Sequence, residues 1–163
     1  MKLKFATEAE LTAGAAELSR CWRDHGFRTL LVGLRGPLGS GKTTWARAML
    51  RGLGYEGRVP SPTYTLLEEY RVGTGRVVHI DLYRLTAAAE LESLGVRDEL
   101  GAPDVWLLTE WPERAPALLG RCDLVLDFTP AGETARDVVV TASSAVGRRA
   151  LDAVSEDKIK LMR

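Results

Sequence analysis

Apolar positions along this chain switch between a strand-like and a helix-like period, and the switches predict the order of its elements. Lys2, Leu3, Lys4 and Phe5 alternate, which predicts a short edge strand. Thr7 and Glu10 have the spacing of a capping box and open a helix running to about residue 24, with Leu11, Ala15 and Leu18 on one face. Residues 29–35 are mostly apolar and predict a buried strand, and residues 44–53 return to helical spacing. Pro60 and Pro62 exclude a helix interior around residues 60–63. Strands follow over residues 64–72 and 76–82, joined by a turn at Gly73, Thr74 and Gly75.

Residues 87–94 predict a helix ended by Gly95, and residues 96–100 a further short helical turn. Residues 104–109 form a second apolar strand that runs into Glu110, after which Pro112 suits the first turn of a short helix. Two more strands, over residues 123–129 and 136–141, flank a turn at Pro130, Ala131 and Gly132. From residue 144 onward, Val146, Ala150 and Val154 share a helical face. Strands alternating with helices predict an α/β fold whose sheet has a parallel centre and added antiparallel strands, flanked by helices. No repeat or linker divides it, so residues 1–143 are read as one domain and residues 144–163 as its helical tail.

The chemistry enters between the first buried strand and the helix after it. Gly36, Pro37, Leu38, Gly39, Ser40, Gly41, Lys42 and Thr43 match G-x-x-x-x-G-K-[ST], followed by Thr44. Strand, glycine loop and helix are the context that this phosphate-binding motif requires. The glycines let the backbone turn tightly against a ligand, and the freed N–H groups with the helix start form an anion nest. Lys42 then reaches the outer phosphates and the Thr43 hydroxyl ligates Mg²⁺. The fold expected is therefore P-loop NTPase-like.

Such a site needs a carboxylate from a neighbouring strand. Residues 77–81 and 105–110 are apolar runs that end on Asp81 and Glu110, at the strand end where α/β sheets collect ligands. One acid serves the metal and the other orients water, and spacing alone leaves the two roles interchangeable. Ser61, Pro62 and Thr63 follow the loop's helix, where a segment either answers to the γ-phosphate or forms a rigid turn. His79, alternating with Val78 and Ile80, reads as a core or partner-facing residue and Tyr83 as structural. Trp22, Trp45 and Trp106 read as core, and Trp111 stands at the site edge.

Composition narrows the class. The 163 residues carry 22 Lys+Arg and 22 Asp+Glu, and this zero net charge argues against a large nucleic-acid footprint. Cys21 and Cys122 form no C-x-x-C pair and predict reduced, packed thiols of a cytoplasmic protein. No signal peptide or membrane-length apolar run is present in the sequence. The chain contains neither Asn nor Gln, so it holds no N-K-x-D guanine reader and no Ras-type catalytic Gln. Adenine is the base expected. A self-contained small-molecule kinase is the competing class, against which stands the lack of an Arg-rich lid.

Taken in order, Gly36 to Thr44, Ser61-Pro62-Thr63, His79-x-Asp81-x-Tyr83-Arg84 and Glu110-Trp111-Pro112 resemble the TsaE (YjeE) family over about residues 8–130. The resemblance implies an ATPase of bacterial tRNA threonylcarbamoyladenosine biosynthesis. Its substrate adenosine lies beside the anticodon of tRNAs that read codons beginning with A. It also implies ATP and Mg²⁺, a TsaB–TsaD protein pair as partner, and contact with tRNA only through that pair. By the same resemblance Lys42 contacts phosphates, Thr43 and Glu110 hold Mg²⁺, and Asp81 is the catalytic or supporting acid. Thr63 belongs to a switch segment, with which Ser61, Pro62, His79, Tyr83, Arg84 and Trp111 are grouped as responsive to partners.

Overall fold

The computed structural model describes residues 1–156, and what the sequence predicts for the end of the tail lies outside the described residues. Seven strands form one sheet: β1 (Lys2–Phe5), β2 (Leu30–Arg35), β3 (Leu67–Val72), β4 (Gly75–Asp81), β5 (Val105–Glu110), β6 (Leu124–Pro130) and β7 (Arg136–Ala142). Their spatial order is β1-β7-β6-β2-β5-β4-β3. β6, β2, β5 and β4 run parallel, whereas β3, β7 and β1 pair antiparallel at the two sides. The mixed sheet with a parallel centre is the arrangement expected.

Among the described residues six α-helices cover the faces: α1 (Glu8–Asp24), α2 (Lys42–Gly52), α3 (Ala88–Ser93), α4 (Val96–Glu99), α5 (Pro116–Leu119) and α6 (Ala145–Glu156). On one face Leu18 and Trp22 of α1, Trp45 and Met49 of α2, and Ala150 and Val154 of α6 pack on Val32, Leu34, Leu108 and Leu126. On the other, Val96 and Leu118 pack on Leu31, Val78, Ile80 and Leu107. Burying a side chain of this size contributes roughly 1.5–3 kcal/mol, so the two layers hold the central strands on both sides. That is why β2 and β5 read as continuous apolar runs rather than alternating ones. Among the described residues no helix is long and apolar enough to cross a membrane.

Local signals hold well. Thr7 accepts from the Glu10 amide at 3.2 Å and caps α1, while the Glu10 carboxylate reaches back to the Ala6 amide at 2.7 Å. The strand expected from residue 64 begins only at Leu67. The Leu66 amide donates to the Pro62 carbonyl, and Leu66 has φ 65°, so residues 62–66 are a turn and Tyr64 is 80% exposed. The turn of helix after Pro112 is a 3₁₀ turn (Pro112–Arg114), and α5 has no counterpart in the sequence reading. Cys21 and Cys122 are buried, as are Trp22, Trp45 and Trp106.

Candidate functional site

The parallel centre brings the carboxyl ends of β2, β5 and β4 side by side, with Glu110 in register with both Leu34 and Asp81. The glycine loop leaves β2 at this edge. Gly36 has φ 151°, and a Cβ there would stand 2.5 Å from the Phe128 carbonyl oxygen, so only glycine lets the loop lie so close to β6. Gly41, at φ 102°, starts α2 without any side-chain cap, which leaves the first-turn N–H groups of the helix for a ligand. Arg35 grips Asp127 with two hydrogen bonds of 2.5 and 2.9 Å, joining β2 to β6 beneath the loop.

Lys42 is not the exposed side chain a surface loop implies. It is 4% exposed, and its ammonium donates to the carbonyls of Gly36 at 2.7 Å and Pro37 at 2.8 Å. The same nitrogen lies 4.1 Å from the centre of the Trp111 ring. Burial lowers the Lys42 pKa, against the opposing pull of Glu110, Glu113 and Asp81. An ammonium so placed needs only a short swing to trade loop carbonyls for an anion.

The two acids, equivalent by spacing, differ in geometry. Glu110 is 2% exposed and its two carboxylate oxygens each accept from the Thr43 hydroxyl at 2.9 Å. His79 Nε2 stands 2.8 Å from Glu110 Oε1. Asp81 is bound elsewhere: Oδ2 accepts from the Thr63 hydroxyl at 2.8 Å, and Oδ1 from the Tyr83 amide at 2.9 Å. Ser61 Oγ is 2.8 Å from Thr63 Oγ1, so the turn before β3 connects to one acid and the loop's helix to the other.

The remaining residues from the sequence reading divide. Tyr83 stacks obliquely on Trp111 with centroids 5.2 Å apart, and Trp111 has φ 57° just before the 3₁₀ turn. Arg84 turns to the Tyr64 ring at 4.2 Å, outside the cleft lining. His79 is fully buried, as its core reading expects, and β4 points it at Glu110. A cleft of about 350 Å³ runs from Thr63, Asp81 and Glu110 along the loop to Glu8, Thr134 and Arg136. Sequence reasoning missed these last three. Only the capping box touched Glu8, and no local pattern links the turn after β6 to the loop. Arg136 nevertheless donates to the Gly39 carbonyl at 3.3 Å.

The sequence model of one protein family, "Threonylcarbamoyl adenosine biosynthesis protein TsaE", matches residues 5–138. The chain belongs to the TsaE family. It is 38% identical to "tRNA threonylcarbamoyladenosine biosynthesis protein TsaE" of Haemophilus influenzae over 131 residues, covering 80% of this chain and 82% of that one. The Bacillus subtilis protein of the same name is 33% identical over 149 residues, covering 91% and 89%. Among solved structures, Bacillus subtilis YdiB superposes with a TM-score of 0.77 at 24% identity over 97% of this chain and 95% of that one, a likeness of fold. The family's role is in tRNA threonylcarbamoyladenosine biosynthesis, and the segments that carried the resemblance converge on the cleft just described.

Proposed function

We propose that this protein is a Mg²⁺-dependent ATPase required for threonylcarbamoylation of the adenosine beside the anticodon in tRNAs reading codons that begin with A. It acts in the cytoplasm with a TsaB–TsaD pair and meets tRNA only through that pair. Residues 1–143 are its ATPase domain and α6 begins a tail of the same domain.

The observation that carries the reading is the pairing of Thr43 with both oxygens of Glu110, 2.9 Å away, beside a glycine loop with free helix N–H groups. A hydroxyl and a carboxylate are hard oxygen donors, and Mg²⁺ is ordinarily held by one or two carboxylates together with phosphates and waters. The residues therefore fit the ion. When bound, Mg²⁺ would offset the charge that develops on the phosphate oxygens. The chain's own residues do the rest. The backbone of Gly36 to Thr44 cradles the phosphates, and Lys42 exchanges the Gly36 and Pro37 carbonyls for the outer ones. Thr43 and Glu110 would hold the ion. Asp81, oriented by Thr63 and the Tyr83 amide, positions the attacking water. Ser61, Pro62, Thr63, His79, Tyr83, Arg84 and Trp111 make up the group that responds to partners.

Among the described residues, Arg136 near Gly39 is the guanidinium that lines the cleft. A missing arginine finger costs on the order of 10³–10⁵ in rate, so hydrolysis by the isolated protein is slow and the pair accelerates it. Steady-state ATP turnover with and without TsaB–TsaD is the test, and equal rates refute the partnership. Phosphate transfer to a small metabolite by the isolated protein at ordinary enzymatic rates would instead establish a kinase. Competition of ATP and GTP for a fluorescent nucleotide should favour ATP, and a GTP preference refutes the choice of base.

A further inference from the structure

We propose that His79 is the positioning residue for Glu110. Through Nε2–H it sets the direction of that carboxylate and hence how tightly the site takes a divalent cation. The proposal rests on Glu110 being a metal ligand, as inferred above.

β4 and β5 run parallel with His79 beside Leu108 and Asp81 beside Glu110. Residues two apart on a strand share a face, so His79 stands one step behind the pair of acids, on their side of the sheet. Its ring is fully buried and does not line the cleft, whereas Thr43, on the opposite flank of Glu110, does. The carboxylate is thus held from the cleft side by Thr43 at 2.9 Å and from the interior by His79 at 2.8 Å. A glutamate side chain has three rotatable torsions, and with the interior donor removed one oxygen is released from its direction. Residues that hydrogen-bond a metal-ligating carboxylate govern affinity through such orientation.

The second nitrogen of the ring makes the case specific. His79 Nδ1 is buried without a hydrogen-bond partner, a rare state for a buried polar atom. A leucine would fill the same volume and leave nothing unpaired, so packing does not account for a histidine here. An ionised carboxylate only accepts hydrogen bonds, so the ring nitrogen facing Glu110, Nε2, is the one that must carry a hydrogen. The geometry thereby gives Nε2–H one task, to donate to Glu110.

Four forms of the full chain test this by Mg²⁺ titration of fluorescent adenine-nucleotide binding: wild type, His79→Leu, His79→Gln and His79→Asn. The glutamine amide nitrogen can occupy the place of Nε2, and the asparagine one only that of Nδ1. In His79→Leu the Mg²⁺ concentration for half-maximal binding should rise roughly 10- to 100-fold, while nucleotide affinity in EDTA stays unchanged. His79→Gln should restore most of the Mg²⁺ response and His79→Asn should not. An unmoved titration in His79→Leu overturns the proposal, as does equal recovery by Gln and Asn. Should the leucine variant not fold, the Gln–Asn contrast still decides, together with the ¹⁵N spectrum of the wild type, which has only two histidines. There the Nε2–H tautomer of His79 supports the assignment and the Nδ1–H tautomer overturns it. Wild-type binding indifferent to Mg²⁺ would bring down the reading of Glu110 and this proposal together. A Mg²⁺-dependent wild type matched by His79→Leu would bring down this proposal alone.

Discussion

Replacing Gly36 by alanine should destabilise the protein far more than the same change three residues on. At Gly36 the new Cβ would lie 2.5 Å from the Phe128 carbonyl oxygen and 3.0 Å from both Phe128 Cβ and Ser40 Oγ. Phe128 cannot retreat easily, because its ring is buried and packs edge-on to Trp45 with centroids 5.5 Å apart. The backbone also sits at φ 151°, where side chains are rarely accommodated. Such strain costs about 1–3 kcal/mol and overpacking a further 1–3 kcal/mol or so, together about 2–6 kcal/mol. For a chain of this length each kcal/mol moves Tm by about 2–4 °C, so a fall of roughly 4–24 °C is expected. At Gly39, φ is 74° and no atom lies within 4 Å of a new Cβ, which leaves only the left-handed backbone cost of about 1–2 kcal/mol. Thermal unfolding followed by circular dichroism, without nucleotide because a ligand raises Tm by linkage, compares the two. A Gly36→Ala melting temperature no lower than that of Gly39→Ala would refute the close approach to β6.

Other outcomes follow from the same geometry. Lys42→Ala should lose most ATP binding at a modest stability cost of about 1–2 kcal/mol, since it frees only the carbonyls of Gly36 and Pro37; unchanged binding in isothermal titration counts against the site. Glu110→Ala should weaken Mg²⁺-dependent nucleotide binding, whereas Asp81→Ala should mainly slow hydrolysis; a reversed pattern in Mg²⁺ titrations means that the roles are exchanged. Thr63→Val removes the donor at 2.8 Å from Asp81, a charged-group hydrogen bond of about 1.5–3 kcal/mol, and should abolish stimulation by TsaB–TsaD; normal stimulation excludes Thr63 from that coupling. Burial pushes the Cys122 thiol up from 9.0 to about 12. The unfolded chain thus loses this proton first, and stability falls as pH rises from 9 toward 12 by up to about 1.4 kcal/mol per unit; denaturant unfolding of Cys122→Ala, compared with wild type, should show a shallower fall.

The sequence by itself determined the elements and the motif, because both depend on residues close along the chain. Apolar period, the Thr7 cap, Gly95 with φ 70° and the Gly73–Thr74 turn are set by neighbours within a few positions. The loop of Gly36 to Thr44 needs only its own glycines and the strand and helix beside it. Even Asp81 and Glu110 could be placed at a common edge, since parallel strands end on the same side. The turn at residues 62–66 misled because Tyr64 and Leu66 look like strand residues, while Pro62 bends the chain into an i to i+4 hydrogen bond.

Tertiary structure decided what depends on which strands become neighbours. Thr43 and Glu110 meet across 67 positions of sequence because β2 and β5 are adjacent, and His79 and Glu110 across 31 because β5 also borders β4. That order separates the acids, one joined to the loop's helix and the other to Thr63, where spacing alone left them alike. It also turns Lys42 inward under Trp111 and brings Arg136 to Gly39, contacts between segments whose local sequences are indifferent to each other. The physical reason is range: backbone propensity and period act over a few residues, whereas the burial of both faces of the sheet chooses the strand order, and with it the partners at the cleft.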